Sequence, residues 1–134
     1  MKLEILLVDD DPVVLYLHKA TFNKCNFPQQ LFFENGRLVL DYILANKDKD
    51  KVFLILLDIN MPVMNGWEFL DQLNTIAIKP LVKVVIVTSS IDSSDKDKAK
   101  NYEQVFEFME KPLQEKLIFN LRNNKDLAPY LIQD

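Results

Sequence analysis

Residues 52–58 read VFLILLD, an unbroken run of six apolar side chains closed by an aspartate. Two further runs have a similar character, Leu3–Val8 (LEILLV) and Val82–Val87 (VKVVIV). Short runs that are rich in branched residues and mostly continuous are typical of strands covered on both faces of a parallel sheet. Weaker runs at Gln30–Glu34 and Val105–Glu110 add a second and a fifth predicted strand.

Segments with helical spacing lie between these runs. Val13, Leu17 and Ala20 recur at helical intervals after Pro12, a residue suited to a first helical turn. The later apolar sets fall at Val39 and Ile43, at Phe69, Leu73 and Ile76, and at Leu113, Leu117 and Leu121. Asp95–Tyr102 is predicted as a charged, exposed helix. Five repeats of strand and helix predict an α/β fold with a parallel sheet and right-handed crossovers.

Length, composition and charge argue against several classes of function. The 134 residues fit one domain, and 49% hydrophobic with 27% charged residues is the balance of a soluble globular protein. The apolar runs are too short to cross a bilayer, and the N-terminus lacks a secretory signal, so we expect a cytoplasmic protein with no membrane contact. The net charge is −4 without a basic stripe, which argues against direct nucleic-acid binding. Cys25 is the only cysteine, which excludes an internal disulfide and fits a reducing compartment.

Polar side chains follow four of the five predicted strands, and in an open α/β sheet ligands bind at the carboxyl ends of the strands. In chain order these residues are Asp9, Asp10 and Asp11, then Asp58, then Thr88, Ser89 and Ser90, then Lys111 beside Pro112. One acid beside one strand means little. Four strand ends that deliver acids, hydroxyls and a lysine to one edge predict a site.

Clustered carboxylates repel one another unless a positive charge sits among them. A hard divalent cation with oxygen ligands meets that need, and Mg²⁺ typically uses one or two carboxylates, several waters and a phosphate oxygen. Asp58 beside such an ion is a candidate nucleophile of the kind that forms aspartyl phosphates. Phosphoryl transfer mainly requires positioning and charge cancellation, which the ion, Lys111 and Thr88 could supply.

Four segments resemble, in order and spacing, the signature segments of response-regulator receiver domains. They are LLVDDDP at 6–12, LLDINMPVMNGWEFL at 56–70, VVIVTSS at 84–90 and FEFMEKPL at 106–113. The resemblance runs over residues 1–124, which implies a receiver domain there and a C-terminal tail at 125–134. It also implies a doubly wound (βα)5 fold, a five-stranded parallel sheet in the flavodoxin-like order 2-1-3-4-5. The tail is expected to lose regular structure at Pro129 and either to pack on its own domain or to meet a partner.

The resemblance implies a role for each acid. Asp58 is the expected phosphoacceptor, and Asp9 and Asp10 are the expected acidic pair at a Mg²⁺ or Mn²⁺ ion, with Asp10 the more direct ligand. Asn60 is expected to offer its backbone carbonyl to the ion. Asp11 falls one place beyond the pair and is expected to cap the first helix.

Other roles follow from the same resemblance. Thr88 is expected to move toward the phosphoryl group, Lys111 to pair with it, and Ser89, being small, to leave room for its entry. Phe108 stands where many family members have a tyrosine and is expected to be the switch aromatic. The bond between Lys111 and Pro112 is one that the family tends to hold cis.

Four further residues carry structural expectations. Gly66, after the acceptor aspartate, is expected to supply a backbone conformation that other residues avoid. Trp67 and Phe69 are interpreted as packing residues at the start of the third helix. His18 is predicted to lie at the surface or its boundary, far from every strand end, so the phosphodonor histidine belongs to another protein.

Together these features imply a single-domain response regulator. It would accept a phosphoryl group on Asp58 from a sensor histidine kinase or histidine phosphotransfer protein and catalyse only its own phosphorylation and dephosphorylation. Since few residues follow the last helix, we expect signalling by docking to a downstream protein, through a face that includes Tyr102, Phe108 and Leu113. The prediction also leaves open whether the protein forms a homodimer on phosphorylation.

Two alternatives compete with this prediction. A pseudo-receiver would bind partners without being phosphorylated, although all the expected site residues are present. A phosphatase of the haloacid dehalogenase type also uses an aspartyl nucleophile, but it needs a second acid two residues later. Here that residue is Asn60, which cannot donate an acidic proton, and the chain lacks room for a cap domain.

Overall fold

The computed structural model describes residues 2–89, 92–125 and 127–131. Strand and helix alternate five times, and a short sixth helix follows. The elements are β1 Lys2–Val8, α1 Pro12–Lys24, β2 Gln30–Phe33, α2 Gly36–Ala45, β3 Lys51–Asp58, α3 Gly66–Leu73, β4 Leu81–Thr88, α4 Ser93–Ala99, β5 Val105–Glu110, α5 Glu115–Leu121 and α6 Ala128–Leu131. Within the described residues, no helix has both the length and the apolar character that crossing a membrane requires.

The five strands form one parallel sheet in the order β2-β1-β3-β4-β5. The predicted fold class and strand order are therefore confirmed. The register aligns the carboxyl ends of the central strands, because Val8 lies opposite Leu57 and Asp58 lies opposite Val87. Asp58 and Thr88 are the last residues of their strands, whereas the sequence placed them just beyond.

Both faces of the sheet are covered, which explains the continuous apolar runs. Every residue from Val52 to Leu57 is buried. Alternate residues of this strand enter two separate layers. One layer includes Val39 of α2 and Phe69 of α3. The other includes Phe22 of α1 and Ile118 of α5.

Helix α1 forms where the spacing of Val13, Leu17 and Ala20 predicted a helix. Its buried stripe is a different set, Leu15, His18 and Phe22. Val13 is 65% and Leu17 50% exposed, so the residues that indicated the helix do not form its buried face. Apolar residues occur around most of this helix, and both sets have helical spacing, so periodicity could not choose between them. The short connection from β1, in which the Asp11 carboxylate accepts a hydrogen bond from the Val13 amide, limits how the helix can be rotated.

Cys25 lies at the seam between α1 and α5. Its side chain is 6% exposed, and burial raises the pKa of the thiol. Arg122 Nη1 donates to the carbonyl oxygens of Cys25 and Asn26 at 2.8 and 2.9 Å, and its guanidinium lies over the Phe27 ring. The cysteine thus acts as a packing residue beside an arginine that ties the end of α1 to the end of α5.

The C-terminal segment packs on the domain. Leu127 is fully buried in the layer between the sheet, α1 and α5, and Tyr130 and Leu131 pack against the same layer. Pro129 lies inside α6, so the expectation that it ends regular structure was wrong. A proline is tolerated in a first helical turn because the amide it lacks has no intrahelical partner there.

We expect Leu127→Ala to lower the free energy of unfolding by about 2–4 kcal/mol, the usual cost of a buried leucine truncated to alanine. The measurement is urea unfolding followed by circular dichroism. Leu38→Ala is the matched control, since Leu38 is 48% exposed and should cost less than about 1 kcal/mol. Equal losses in the two variants would show that the C-terminal segment does not stabilise the domain.

Candidate metal centre at the carboxyl edge of the sheet

Three carboxylates meet where β1 and β3 end. Asp9 and Asp10 directly follow β1, and Asp58 is the last residue of β3. One carboxylate oxygen from each residue lies within 4.8 Å of the other two. Asp9 and Asp58 are buried, whereas Asp10 is exposed, so the cluster is reached from solvent on the Asp10 side.

Lys111 brings a positive charge to the cluster. Its Nζ atom lies 2.5 Å from Asp9 Oδ2 and 3.3 Å from Asp58 Oδ2, and its side chain is largely buried. The Lys111 amide donates to the carbonyl oxygen of Thr88 at 2.8 Å, which fixes the backbone after β5 against the end of β4. The structure therefore brings together Asp9, Asp58, Thr88 and Lys111, which are far apart in the sequence.

The electrostatics of the cluster favour an added cation. Burial raises the pKa of Asp58, and the nearby Asp9 carboxylate raises it further, while the Lys111 ammonium opposes both effects. Burial alone would lower the pKa of Lys111, but its bonds to the two carboxylates outweigh burial and raise it. One ammonium therefore faces three acids. A hard divalent ion with carboxylate ligands would offset the remaining negative charge.

The loop after Asp58 depends on close backbone approach. Gly66 does not have a positive φ, so the predicted reason for this glycine was wrong. A Cβ atom there would lie 2.6 Å from the Asp58 carbonyl oxygen, and the Gly66 amide donates to the Ile59 carbonyl at 2.9 Å. Val63, with φ of 68°, has the left-handed conformation in this loop.

The remaining predicted residues surround this centre or lie beside it. Thr88 is buried at the end of β4, and Ser89, which follows it, is exposed. Asn60 lies two residues after Asp58 and is exposed, and its backbone amide donates a hydrogen bond to the Asp58 carboxylate. The Lys111–Pro112 bond is cis. Phe108 is half-buried on β5. Their chemical roles stay predictions.

His18 is the residue that sequence reasoning misplaced. It is 4% exposed on the buried stripe of α1. Burial lowers the pKa of His18 to about 4, with Lys111 lowering it further and Asp9 opposing. Its Nε2 atom is buried without a hydrogen-bond partner among the described residues. Its spacing from Leu15 and Phe22 is helical, but the set that includes Leu17 is spaced in the same way, so the sequence held no signal that could decide.

Comparison with known proteins identifies the family. The sequence model described as the response regulator receiver domain matches residues 5–122, most of the chain. The chain belongs to this family. A receiver domain is a signalling phosphoacceptor, and receiver domains bind Mg²⁺ at an acidic cluster. The clustered oxygens of Asp9, Asp10 and Asp58, with their excess of negative charge, fit that ion.

Individual relatives agree with this assignment. Protein PilH of Pseudomonas aeruginosa is 33% identical over 120 residues, which cover 89% of this chain and 93% of PilH. Chemotaxis protein CheV1 of Helicobacter pylori is 28% identical over 98 residues, 72% of this chain but 30% of CheV1. A crystal structure of a two-component response regulator from Legionella pneumophila is 29% identical with a TM-score of 0.76, covering 90% of this chain and 95% of that one. A single receiver domain therefore accounts for most of this chain.

Proposed function

We propose that this receiver domain accepts a phosphoryl group on Asp58 from a phosphohistidine of a sensor histidine kinase or a histidine phosphotransfer protein. One observation carries the proposal: the Asp58 carboxylate lies 3.3 Å from the Lys111 ammonium and within 4.8 Å of two further carboxylates. An Asp58 oxygen forms the bond to phosphorus as the bond from phosphorus to the imidazole nitrogen breaks. The sequence of this chain contains one histidine, His18, and it is buried, which agrees with a donor on another protein.

The residues around Asp58 would have separate roles in metal binding and in phosphoryl transfer. Asp9, Asp10 and Asp58, with the Asn60 carbonyl, would hold Mg²⁺ or Mn²⁺. When bound there, such an ion would supply positive charge that offsets the negative charge of the phosphoryl oxygens. The Lys111 ammonium, already in contact with Asp58 Oδ2, would then pair with a phosphoryl oxygen.

Three neighbouring residues would complete the site. Thr88, buried at the end of β4, would bring its hydroxyl to the transferred group. Ser89 would leave an opening beside it. The cis bond before Pro112 lies at the turn that carries the lysine of the site. In this proposal the protein catalyses only its own phosphorylation and dephosphorylation.

Signalling would follow by docking of the face formed by α4, β5 and α5. Phe108 lies between two clefts of this face, one of about 320 Å³ toward α4 and one of about 150 Å³ toward α5. An aromatic ring with space on both sides can change position when Thr88 moves. A downstream protein, or a second phosphorylated copy, would bind the new surface. Residues 125–134 would form a C-terminal tail after the receiver domain at 1–124. The proposed setting is the cytoplasm, without membrane or nucleic-acid contact.

The test is incubation with Mg²⁺ and acetyl phosphate, followed by intact mass measurement. Wild type should gain one phosphoryl group, and Asp58→Ala or added EDTA should abolish the gain. Asp11→Asn is the matched control, because Asp11 is an exposed acid beside the cluster and asparagine keeps its capping oxygen. A gain that survives Asp58→Ala would move the acceptor elsewhere. No gain in wild type would favour a phosphorylation-independent pseudo-receiver.

A further inference from the structure

Strand β2 is an edge of the sheet. It pairs with β1 on one side, and no strand of the described residues lies on its other side. The Phe33 carbonyl faces β1, where it accepts a hydrogen bond from the Asp9 amide at 3.0 Å. Because neighbouring residues of a strand direct their backbone groups to opposite sides, the amide and carbonyl of Phe32 point away from β1. Backbone groups on such an edge can pair with a further strand.

An apolar cleft lies beside this edge, between β2 and α1. Its volume is about 500 Å³, and its apolar lining includes Pro12, Leu15, Tyr16, Phe32 and Phe33. Tyr16 is 71% and Phe32 42% exposed. Phe32 lies opposite Leu7, which packs in the same layer as α1, so the Phe32 ring is on the α1 side of the sheet. The edge therefore offers a partner apolar surface as well as backbone hydrogen bonds.

Two opposite charges border the same cleft, on Lys19 and Glu34. The Lys19 ammonium lies 5.7 Å from the centre of the Phe32 ring. Both charged side chains are exposed, and the ion pairs among the described residues involve neither of them. A surface with one cation and one anion is complementary to itself, because in a two-fold interface each group meets its counterpart's partner. The charges therefore favour a second copy of this chain over an acidic or a basic partner.

The backbone directions determine how two β2 strands can pair. An antiparallel pair centred on Phe32 lets this residue exchange two hydrogen bonds with Phe32 of the second copy. Gln30 then lies opposite Glu34 of the second copy. Since side chains alternate along a strand, these residues share one face with the Phe32 ring that lies under Lys19. Long side chains reach such diagonal neighbours, so Lys19 of each copy can pair with Glu34 of the other.

The opposite edge of the sheet, β5, lacks this self-complementarity. Its fully exposed side chains are those of Glu107 and Glu110. Two copies paired along β5 would bring these acids together, and like charges on neighbouring strands are destabilising. The β2 edge is therefore the better site for pairing between copies.

We propose that two copies of this chain associate by antiparallel pairing of their β2 strands, with the aromatic side chains of Tyr16 and Phe32 in the contact. The surface includes neither Asp58 nor Lys111, so this dimer forms with or without a phosphoryl group. The proposal does not depend on the proposed function. A four-residue strand and one cleft make a small interface, so we expect a dissociation constant of roughly 10–100 μM.

The first test is sedimentation equilibrium of the full chain between about 5 and about 500 μM, a range that spans the expected dissociation constant. Wild type should pass from monomer to dimer in this range, and Mg²⁺ with beryllofluoride, a phosphoryl mimic, should leave the dissociation constant unchanged. A protein that stays monomeric throughout would overturn the proposal and leave the cleft to a different partner. A dimer that forms only with beryllofluoride would also overturn it.

The second test exchanges the two charges. Lys19→Glu and Glu34→Lys should each weaken self-association at least about tenfold, since each turns two attractive contacts into repulsive ones. An equimolar mixture of the two variants should dimerise again, because each then carries the charge that the other lacks. Lys116→Glu is the matched control for net charge, at an exposed lysine of α5 outside the cleft, and should dimerise as wild type does. A mixture that associates no better than either variant alone would exclude the β2 contact.

Discussion

Between pH 7 and pH 4 the wild-type protein is expected to lose about 3 kcal/mol of its free energy of unfolding because of His18, and His18→Leu is expected to abolish that loss. In the folded protein, burial lowers the pKa of His18 from 6.5 to about 4. As the pH falls through 6.5, the unfolded chain therefore binds a proton that the folded chain does not. The free energy of unfolding contributed by the neutral imidazole is fully present above pH 6.5 and is lost progressively toward pH 4. Leucine does not titrate, so this loss should disappear.

The measurement is urea unfolding of both proteins at several pH values between 7 and 4.5. His18 is the only histidine, which makes the difference between the two profiles specific. The carboxylates of Glu4 and Asp58, whose pKa values are lowered and raised respectively, titrate in both proteins and largely cancel in the comparison. Parallel profiles would show that His18 is already charged in the folded state or is not buried.

Gly66→Ala is expected to lower the free energy of unfolding by about 3 kcal/mol, the upper part of the usual range for an overpacked site. The new Cβ would lie 2.6 Å from the Asp58 carbonyl oxygen and 3.1 Å from Ile59 Cα, and both of these are backbone atoms that cannot rotate away. Moving them also shifts Asp58, the proposed phosphoacceptor. We therefore also expect slower phosphorylation by acetyl phosphate, measured by intact mass over time.

The sign of this effect is informative, because alanine in place of glycine normally stabilises a helix by roughly 0.5–1 kcal/mol. Ser93→Ala is the matched control, since Ser93 is also the first residue of a helix and is exposed. Its effect should stay within about 0.5 kcal/mol. A Gly66→Ala protein as stable as wild type would mean that the loop accommodates the extra atom at no cost.

The sequence was informative where a local pattern and the tertiary environment demand the same residues. The run at 52–57 had to be apolar throughout because both faces of β3 are covered, and the element order followed from such runs. The edge of the sheet could be predicted in the same way, since a parallel sheet places the ends of its strands together. Asp9, Asp58 and Lys111 therefore fall at one edge, as the order of strands requires.

The misplaced residues depended on packing that the sequence does not contain. The rotation of α1 decides whether Leu17 or His18 is buried, and both choices have helical spacing. Gly66 was correctly singled out, but the reason was a neighbouring backbone and not its own φ. The sequence did not predict the positive φ of Val63, because residues with a branched side chain rarely adopt the left-handed conformation. The distances between the carboxylates of the acidic cluster could not be predicted either, because they depend on how the strands and helices pack.

The burial of Cys25 determines how oxidation of this protein should be interpreted. The thiol is enclosed where α1 meets α5, with Arg122 bonded to the adjacent carbonyl, and its raised pKa keeps it protonated. Two intact copies cannot bring their sulfur atoms together while this seam is closed. A disulfide-linked dimer in a stored sample would therefore record chains that had opened, and it would carry no information about signalling assembly.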